Sequence, residues 1–105
     1  NKPVELHKRT TKLITRYPDH PFSRRAAYEN ATMLREAGHF ALATELYDSF
    51  VKLWPRDSRV EDALYWKGKS MIMAGDTLSG REILKTYTTK YPEGRWIKEA
   101  SLLYR

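Results

Sequence analysis

The sequence contains no cysteine and no long apolar segment, and both absences restrict what the protein can do. Without cysteine the chain forms no disulfide and supports no thiolate chemistry. This composition is compatible with an oxidising compartment but does not prove one. No apolar run approaches the ~20 residues that a membrane-spanning helix requires. We therefore expect no membrane span.

Motifs for catalysis and metal binding are also missing. The chain has no G-x-S-x-G, no H-E-x-x-H and no glycine-rich phosphate loop after a strand. Glu61 and Asp62 are adjacent at a predicted helix start, where they complement the helix dipole but do not share a face. His7, His20 and His39 lie in separate segments, whereas zinc ligands are usually paired at short spacing. We therefore expect a protein that is not an enzyme and needs neither a metal nor another cofactor.

Basic groups outnumber acidic groups at both ends of the chain. The net charge is +6. Residues 1–21 carry five basic and two acidic groups, residues 22–55 carry four of each, and residues 56–105 carry ten and seven. Basic ends could bind nucleic acid, a hypothesis that predicts a steep loss of affinity with added salt. It is the weakest of the functional hypotheses, and no nucleic-acid partner is expected.

A basic stripe marks the first predicted helix. Lys8, Lys12 and Arg16 are spaced i, i+4, i+8, with Arg9 beside them. Such a stripe can bind phosphates or anionic lipid headgroups. The alternative, which we favour, is a solvated outer face, because three or four basic groups are ordinary on a surface helix.

What the chain does contain is an internal repeat. Three aromatic–proline pairs recur with a constant step of 37 residues: Tyr17-Pro18, Trp54-Pro55 and Tyr91-Pro92. The same offset superposes small, glycine and aromatic residues. These columns include Ala26, Ala63 and Ala100; Tyr28 and Tyr65; Ala31 and Gly68; Gly38 and Gly75; and Leu13, Phe50 and Tyr87. A fixed period of this length is typical of stacked helical repeats.

Each repeat is predicted to be a pair of helices. Between about Phe40 and Trp54 the apolar residues follow the i, i+3, i+4, i+7 spacing of one helix face. The preceding helices are expected at about 23–37 and 58–74. Ser58 and Glu61 fit a capping box at the start of the second of these. Gly38 and Gly75 stand where a helix must end and the chain reverse.

These elements predict one all-α domain over residues 1–105. It comprises a lone second helix (1–18), two full repeats (19–55 and 56–92) and the start of another repeat (93–105). Because the chain opens and closes in mid-repeat, we expect it to be excised from a longer protein, with any targeting segment left out.

The pattern resembles the tetratricopeptide repeat family. Counted from the turn glycines, the family's small first-helix residue falls on Ala31 and Gly68, and its closing proline on Pro55 and Pro92. The resemblance implies an α–α superhelix of about six antiparallel helices that binds a protein or peptide partner. The family's first-helix tryptophan is replaced by Ala27 and Leu64.

Two details are similar to bacterial cell-envelope members of the family. Three extra residues precede each first helix, relative to the usual ~34-residue period, and residues 63–68 read Ala-Leu-Tyr-Trp-Lys-Gly. The members in question are a Tol–Pal-associated periplasmic protein and the lipoprotein of the outer-membrane β-barrel assembly machinery. The resemblance implies a non-catalytic scaffold in the periplasm or at the outer membrane, with the cytoplasm as the other possibility. The alternative is a helical accessory domain of an envelope enzyme such as a lytic transglycosylase.

The family resemblance also implies a concave groove lined by first helices. The groove residues carried over are Arg25, Tyr28, Thr32, Arg35, Asp62, Tyr65, Lys69 and Ile72. Tyrosines flanked by cations suit an extended peptide, since the rings give contact area and the cations bind carboxylates. The alternative is that Tyr28 and Tyr65 pack inside the superhelix. The lysine of the family's carboxylate-clamp subclass is replaced by tyrosine at these positions, so clamp-type binding of chaperone C-termini is not expected.

The incomplete last repeat is a second candidate surface. Its apolar residues Ile97, Leu102, Leu103 and Tyr104 have no following helix to cover them. Such a surface continues into more repeats, pairs with another copy or docks a partner. Self-association through the terminal helices is therefore one possibility. Trp54, Trp66 and Trp96 are expected to serve packing more than contact, with an exposed anchor as the alternative for Trp66.

Overall fold

Six α-helices follow one another through residues 1–104, the part of the chain that the computed structural model describes, and no strand occurs there. They are α1 (Lys2–Arg16), α2 (Pro21–Glu36), α3 (Phe40–Leu53), α4 (Val60–Met73), α5 (Thr77–Lys90) and α6 (Ile97–Tyr104). Each helix packs mainly on the next one in sequence, and α1 also contacts α3. This arrangement confirms the predicted all-α superhelix, with α2–α3 and α4–α5 as the two complete helix pairs.

The turn within each pair is closed by a glycine in the left-handed region. Gly38 has φ 86° and Gly75 has φ 99°. The amide of His39 donates to Leu34 O at 2.8 Å, and the amide of Asp76 donates to Met71 O at 2.9 Å. These are Schellman turns, which satisfy the last carbonyls of α2 and α4. The prediction that both glycines reverse the chain is confirmed.

The aromatic–proline pairs end the second helix of each repeat with one backbone geometry. Tyr17, Trp54 and Tyr91 have φ between −129° and −127° and ψ between 57° and 66°. Each donates its amide to the carbonyl four residues back. Because a residue before proline is pushed out of helical geometry, the helix stops there in all three cases.

Helix starts differ from the sequence prediction. The helix α2 begins at Pro21, two residues before the expected Ser23, since proline is favoured in the first turn of a helix. The side chain of His20 caps it by accepting from the amide of Phe22 at 3.1 Å. The capping box at Ser58 is wrong: α4 begins at Val60, its N-cap is Arg59, and no side chain caps it.

The core consists of two clusters that meet between α3 and α4. The first cluster centres on residues of α2 and α3, including Leu46, Tyr47 and Phe50, each fully buried. The second lies between α4, α5 and α6 and includes Leu84 and Tyr87, also fully buried. Every helix therefore contributes one apolar face, as expected for stacked repeats.

The two helix pairs cross at small residues. In the first pair these are Ala31 and Ala43, both fully buried. In the second they are Gly68 and Gly80, where a Cβ on Gly80 would lie 2.8 Å from the carbonyl oxygen of Gly68. The helices α4 and α5 therefore approach so closely that their crossing has no room for a methyl group.

None of the helices in residues 1–104 combines the length and the apolar composition that would be needed to cross a membrane.

Candidate functional site

The predicted groove residues lie on α2 and α4, and the structure divides them into groups with different surroundings. Tyr28 on α2 is half-buried. Its ring meets Tyr47 and Phe50 edge-on, with ring centroids 5.8 and 5.5 Å apart, and the guanidinium of Arg59 lies 5.8 Å from the Tyr28 ring centroid. Burial, reinforced by the negative charge of Asp62, raises the pKa of Tyr28 to about 12, so that the phenol remains neutral.

Tyr65, the equivalent residue on α4, is packed inside the fold. It is only 1% exposed, because the indole of Trp96 stacks flat on its ring with centroids 4.6 Å apart and an angle of 5°. The prediction of Tyr65 as a contact residue is therefore wrong, and the alternative of a packed tyrosine holds for this position. Burial also raises the pKa of Tyr65.

Asp62 connects α4 to the loop that precedes α6. Its Oδ1 accepts from Trp96 Nε1 at 2.7 Å, and its Oδ2 lies 3.3 Å from Arg95 Nη1. With both oxygens engaged, Asp62 supports the fold more than it offers a charge to a ligand.

Glu61 has a similar anchoring role. Its Oε2 accepts from the hydroxyl of Tyr87 and from the amide of Arg95, each at 2.8 Å. The carboxylate that the sequence assigned to a capping box thus holds the next loop instead. The hydroxyl of Tyr87 also accepts from the amide of Trp96 at 2.9 Å. Burial raises the pKa of Tyr87, as does the hydrogen bond to Glu61.

Thr32 and Ile72 are also engaged inside the fold. The hydroxyl of Thr32 lies 2.9 Å from that of Tyr47. Ile72 packs against the second core cluster, where its side chain fills the space beside Gly80. Arg25 is exposed and pairs with Glu29 one turn later at 3.3 Å. Of the predicted groove residues, Arg35, Lys69 and the edge of Tyr28 combine partial exposure with groups free to bind.

Arg35 and Lys69 both approach the indole ring of Trp66. The guanidinium carbon of Arg35 is 3.7 Å from the centroid of the Trp66 ring, and Lys69 Nζ is 5.4 Å from it. Together with Phe40, Ser70 and Met73 they line a cavity of about 290 Å³, hereafter the Trp66 pocket. It lies where the end of α2 and the start of α3 face the second half of α4.

The electrostatics of the Trp66 pocket favour an anion. Within residues 1–104, neither Arg35 nor Lys69 pairs with a carboxylate. Arg35 donates its Nε to the hydroxyl of Tyr47 at 3.1 Å, which fixes the side chain and leaves both terminal nitrogens available. Two cations with unused donors beside an indole and a methionine suit a group that joins a negative charge to an apolar body.

One buried polar atom of this pocket has no partner. Ser70 is 1% exposed, and its hydroxyl makes no hydrogen bond with residues 1–104. A buried hydroxyl without a partner is uncommon, since its desolvation is uncompensated. The hydroxyl is shielded from solvent, so it lies behind the wall of the Trp66 pocket.

The tryptophans at the repeat ends serve packing, as expected. Trp54 is 7% exposed, and its Nε1 donates to Pro18 O at 2.8 Å, joining successive loops. Trp96 covers Tyr65. Trp66 is half-buried with its ring against Tyr65, so it is both packed and part of a pocket wall.

The basic stripe and the histidines stay apart from this pocket. Lys8, Lys12 and Arg16 are exposed on α1, consistent with the solvated face that we favour. His7 lies 3.3 Å from Glu45. No group of three His, Asp or Glu side chains comes together as a cation site within residues 1–104.

The residues at the open end are exposed to different degrees. Leu102 is 66% exposed, whereas Leu103 and Tyr104 are partly buried against the second core cluster. Ile97 and Leu102 line a shallow cavity of about 360 Å³ with Lys98 and Ser101. Of the four predicted residues, Ile97 and Leu102 therefore lie on the outer face of α6, and Leu103 and Tyr104 pack toward the core.

Sequence reasoning missed the Trp66 pocket as a unit. Arg35 and Lys69 were expected in the groove, but Phe40 and Ser70 were not, and Trp66 was expected to be mainly packing. The one available signal was the position of Arg35 in the last turn of α2. Its 37-residue equivalent is Ile72, so the pattern of the repeat is broken there by a charge.

Residues 62–94 match the model of the tetratricopeptide repeat family, a stretch that runs through most of α4 and all of α5 to the following loop. The match covers one repeat, and tetratricopeptide repeats generally mediate protein–protein interaction. The helix pair α2–α3 repeats the matched one at the same 37-residue offset. A comparison with curated proteins found no match.

Proposed function

We propose that this protein is a non-enzymatic interaction module that binds an acidic, partly apolar peptide segment at the Trp66 pocket. The observation that carries the proposal is the placement of Arg35 and Lys69 against one indole ring without a carboxylate partner in residues 1–104. The match to a repeat family that mediates protein–protein interaction supports a protein or peptide as the ligand.

The chemistry of the pocket defines the peptide. The terminal nitrogens of Arg35 and the ammonium of Lys69 bind a glutamate or aspartate side chain. Phe40 and Met73 then contact an aliphatic or aromatic residue beside it, because methionine adapts to irregular apolar shapes. The edge of Tyr28 continues this surface along α2.

We further propose that the partner belongs to a bacterial cell-envelope complex at the periplasm or outer membrane. The support is the resemblance of the lengthened repeat and of residues 63–68 to envelope members of the family. Cell fractionation of the native host, followed by detection of the protein, tests the compartment. Recovery in the cytosolic fraction alone would contradict it.

Peptide selection tests the Trp66 pocket. A displayed library of random dodecapeptides is enriched on the purified protein, and the affinity of the enriched peptides is measured by fluorescence anisotropy. We expect selected sequences to contain an acidic residue beside an apolar one. The double variant Arg35→Glu/Lys69→Glu should bind them at least tenfold more weakly.

The control is a double variant with the same charge change outside the pocket. Lys12 and Lys85 are exposed on α1 and α5, and Lys12→Glu/Lys85→Glu should retain the parent affinity after correction for net charge. Equal binding by the pocket variant and the parent would refute the proposed site.

A further inference from the structure

The chain has few sulfur atoms, and one of them lies in the wall of the Trp66 pocket. With no cysteine present, they belong to three methionines, Met33, Met71 and Met73. An exposed methionine is oxidised to the sulfoxide more readily than a buried one. Met71 is half-buried, whereas Met33 is 57% exposed and Met73 is 55% exposed. Met33 and Met73 therefore have similar access to oxidants, and their surroundings distinguish them.

Met73 lines two adjoining cavities. It borders the Trp66 pocket and a second cavity of about 340 Å³ beside the turn from α2 to α3, and Phe40 borders both as well. Both cavities lie between the two complete repeats, so their walls are formed within residues 1–104. Met33 is not among the residues that line the Trp66 pocket. Oxidation of Met73 therefore changes a wall of this pocket, and oxidation of Met33 does not.

A cation precedes Met73 by one helical turn. Lys69 and Met73 have the i, i+4 spacing on α4 that makes two side chains neighbours on the helix surface. Lys69 pairs with no carboxylate in residues 1–104. The thioether sulfur of Met73 is only a weak acceptor, so it leaves the donors of this ammonium unused. A sulfoxide places a polar oxygen at the same point.

We propose that Met73 is an oxidation site and that its sulfoxide closes the Trp66 pocket to acidic peptides. The inference rests on the peptide-binding function proposed above. In the reaction the sulfur attacks one oxygen of a peroxide, so that an S–O bond forms and the O–O bond breaks. The sulfur is oxidised by two electrons, the peroxide is reduced, and its other oxygen leaves with the proton as water or an alcohol.

Two effects of the sulfoxide oppose peptide binding. Its oxygen accepts a charge-assisted hydrogen bond from the ammonium of Lys69, which then no longer binds the carboxylate of the peptide. The polar S–O group also replaces the apolar surface that contacts the aliphatic or aromatic residue of the peptide. We expect the two effects together to lower the affinity about tenfold.

The fold tolerates a polar acceptor at this position. The 37-residue equivalent of Met73 is Glu36, and each is the exposed last residue of its helix. Met73 belongs to neither core cluster. Oxidation should therefore leave the helix content unchanged and act on the pocket alone. Because methionine sulfoxide reductases reduce the sulfoxide, the change is reversible.

Oxidation of single methionines tests the proposal. Met33→Leu/Met71→Leu leaves Met73 as the one methionine of the sequence, and Met71→Leu/Met73→Leu leaves Met33. After hydrogen peroxide treatment, mass spectrometry locates the sulfoxide, and fluorescence anisotropy measures the affinity for a peptide enriched on the parent. Peroxide should weaken binding about tenfold in the first variant, and methionine sulfoxide reductases should restore it. The second variant should have the same affinity before and after treatment.

The reactivity of Lys69 gives a measurement that needs no peptide. Lysines are acetylated with an active ester, and mass spectrometry follows the rate at each position. In the variant that retains Met73, Lys69 should react about threefold more slowly after oxidation, because its ammonium is hydrogen-bonded. Lys12 and Lys85, both exposed on other helices, should react at unchanged rates. An unchanged rate at Lys69 would overturn the proposal.

The failure of this proposal differs from the failure of the proposed function. A parent protein that enriches no peptide would overturn both. Peptide binding that is unchanged after full conversion of Met73 to the sulfoxide would overturn the oxidation site alone. Complete oxidation of Met33 while Met73 stays reduced would have the same meaning. Circular dichroism of the oxidised protein should match that of the reduced protein, and a loss of helix would show that oxidation acts on the fold and not on the pocket.

Discussion

The two complete repeats, residues 19–55 and 56–92, have the same backbone geometry at their turns and caps but different side chains in their interiors. The N-caps of their second helices, His39 and Asp76, have the same φ of −91° and ψ of 68°, and the C-caps Trp54 and Tyr91 agree within a few degrees. The shared features are turn and cap residues. The period of the fold is therefore set by local backbone chemistry, while the interior varies from one repeat to the next.

The interior differs most at the tyrosine on the first helix. In the first repeat Tyr28 is covered by the cation Arg59 and stays half-exposed. In the second repeat Tyr65 is covered by the flat ring of Trp96 and is buried. Equivalent positions thus have different accessibility because the covering residue comes from the next repeat.

The second helices also differ in polarity. Tyr47 in the first repeat uses its hydroxyl to hold Thr32 and Arg35, whereas the equivalent Leu84 in the second repeat makes only apolar contacts. Tyr47, the polar residue of the two, lies beside the Trp66 pocket. The difference shows how a repeat can gain an oriented arginine without a change in its backbone.

Replacement of the residues that cover Tyr28 and Tyr65 should give the largest difference in stability between the two repeats. Trp96→Ala removes the ring on Tyr65 and the bond to Asp62, and we expect a loss of about 3 kcal/mol in the free energy of unfolding. Arg59→Ala should cost about 1 to 2 kcal/mol, because its contacts are partly solvated. Urea denaturation of both variants measures the difference, and equal losses would show that the two covers are equivalent.

A methyl group added at the helix crossing should give the next largest difference in stability between the repeats. In Gly80→Ala the new methyl meets the carbonyl of Gly68 and the side chain of Ile72. Overpacking of about 3 kcal/mol, less about 1 kcal/mol from better helix propensity, leaves a net loss of about 2 kcal/mol.

The matched change in the first repeat is Ala43→Gly, which should cost about 2 kcal/mol, about 1 from helix propensity and about 1 from the lost burial of the methyl group. Thermal unfolding of both variants provides the measurement. A stabilised Gly80→Ala would mean that α4 and α5 can separate without cost.

The loop between the repeats should make stability depend on pH. Hydrogen bonds from Arg59, with Arg24 as a further partner, lower the pKa of Asp57 from 3.8 to about 2. A pKa lowered by folding stabilises the protein above pH 4, and this stabilisation is lost as the pH falls toward 2.

Asp57→Asn should therefore lose about 2 kcal/mol at neutral pH and little at pH 2. The measurement is urea denaturation at a series of pH values. The second repeat has Gly94 at this position. If the loss in Asp57→Asn did not depend on pH, the ion pairs of Asp57 would not account for a difference between the two loops.

Loss of one hydroxyl should have the smallest effect. Tyr47→Phe removes the hydrogen bonds to Thr32 and Arg35 and makes the first repeat as apolar as the second. We expect a loss of about 1 kcal/mol, since one hydrogen-bonding group is deleted and its partners lie near solvent. Chemical denaturation gives the value, and a loss several times larger would indicate that Arg35 also supports the fold.

The backbone could be predicted from the sequence to a large extent. Gly38, Gly75 and the aromatic–proline pairs act within a few residues, so their effect does not depend on tertiary contacts. The helix starts were less predictable. The carboxylate of Glu61 could cap its own helix or hold the next loop, and only the position of Tyr87 and Arg95 determines which.

The candidate site was predictable only in part, because periodicity identifies a face but not what covers it. Arg35 and Lys69 line the pocket, but Tyr65 is buried, since its cover is Trp96, 31 positions later in the sequence. The pocket depends on the spacing between α2 and α4. Both helices pack on α3, so that spacing depends on a third element and cannot be obtained from either helix alone.

The contact of Arg35 with Trp66 has a mechanical consequence for the stack. Near the first turn of α2, Arg24 and Arg59 hold Asp57, whose side chain is only 7% exposed, by directional ionic bonds. Near the last turn, Arg35 is held by Tyr47 of its own repeat and contacts α4 through the aromatic face of Trp66, over which a guanidinium can slide. We expect the superhelix to flex about the Asp57 end as a hinge, so that bending widens or narrows the gap at Trp66. Faster amide hydrogen exchange at 35–40 than at 57–62 would agree with this elasticity, and the reverse order would contradict it.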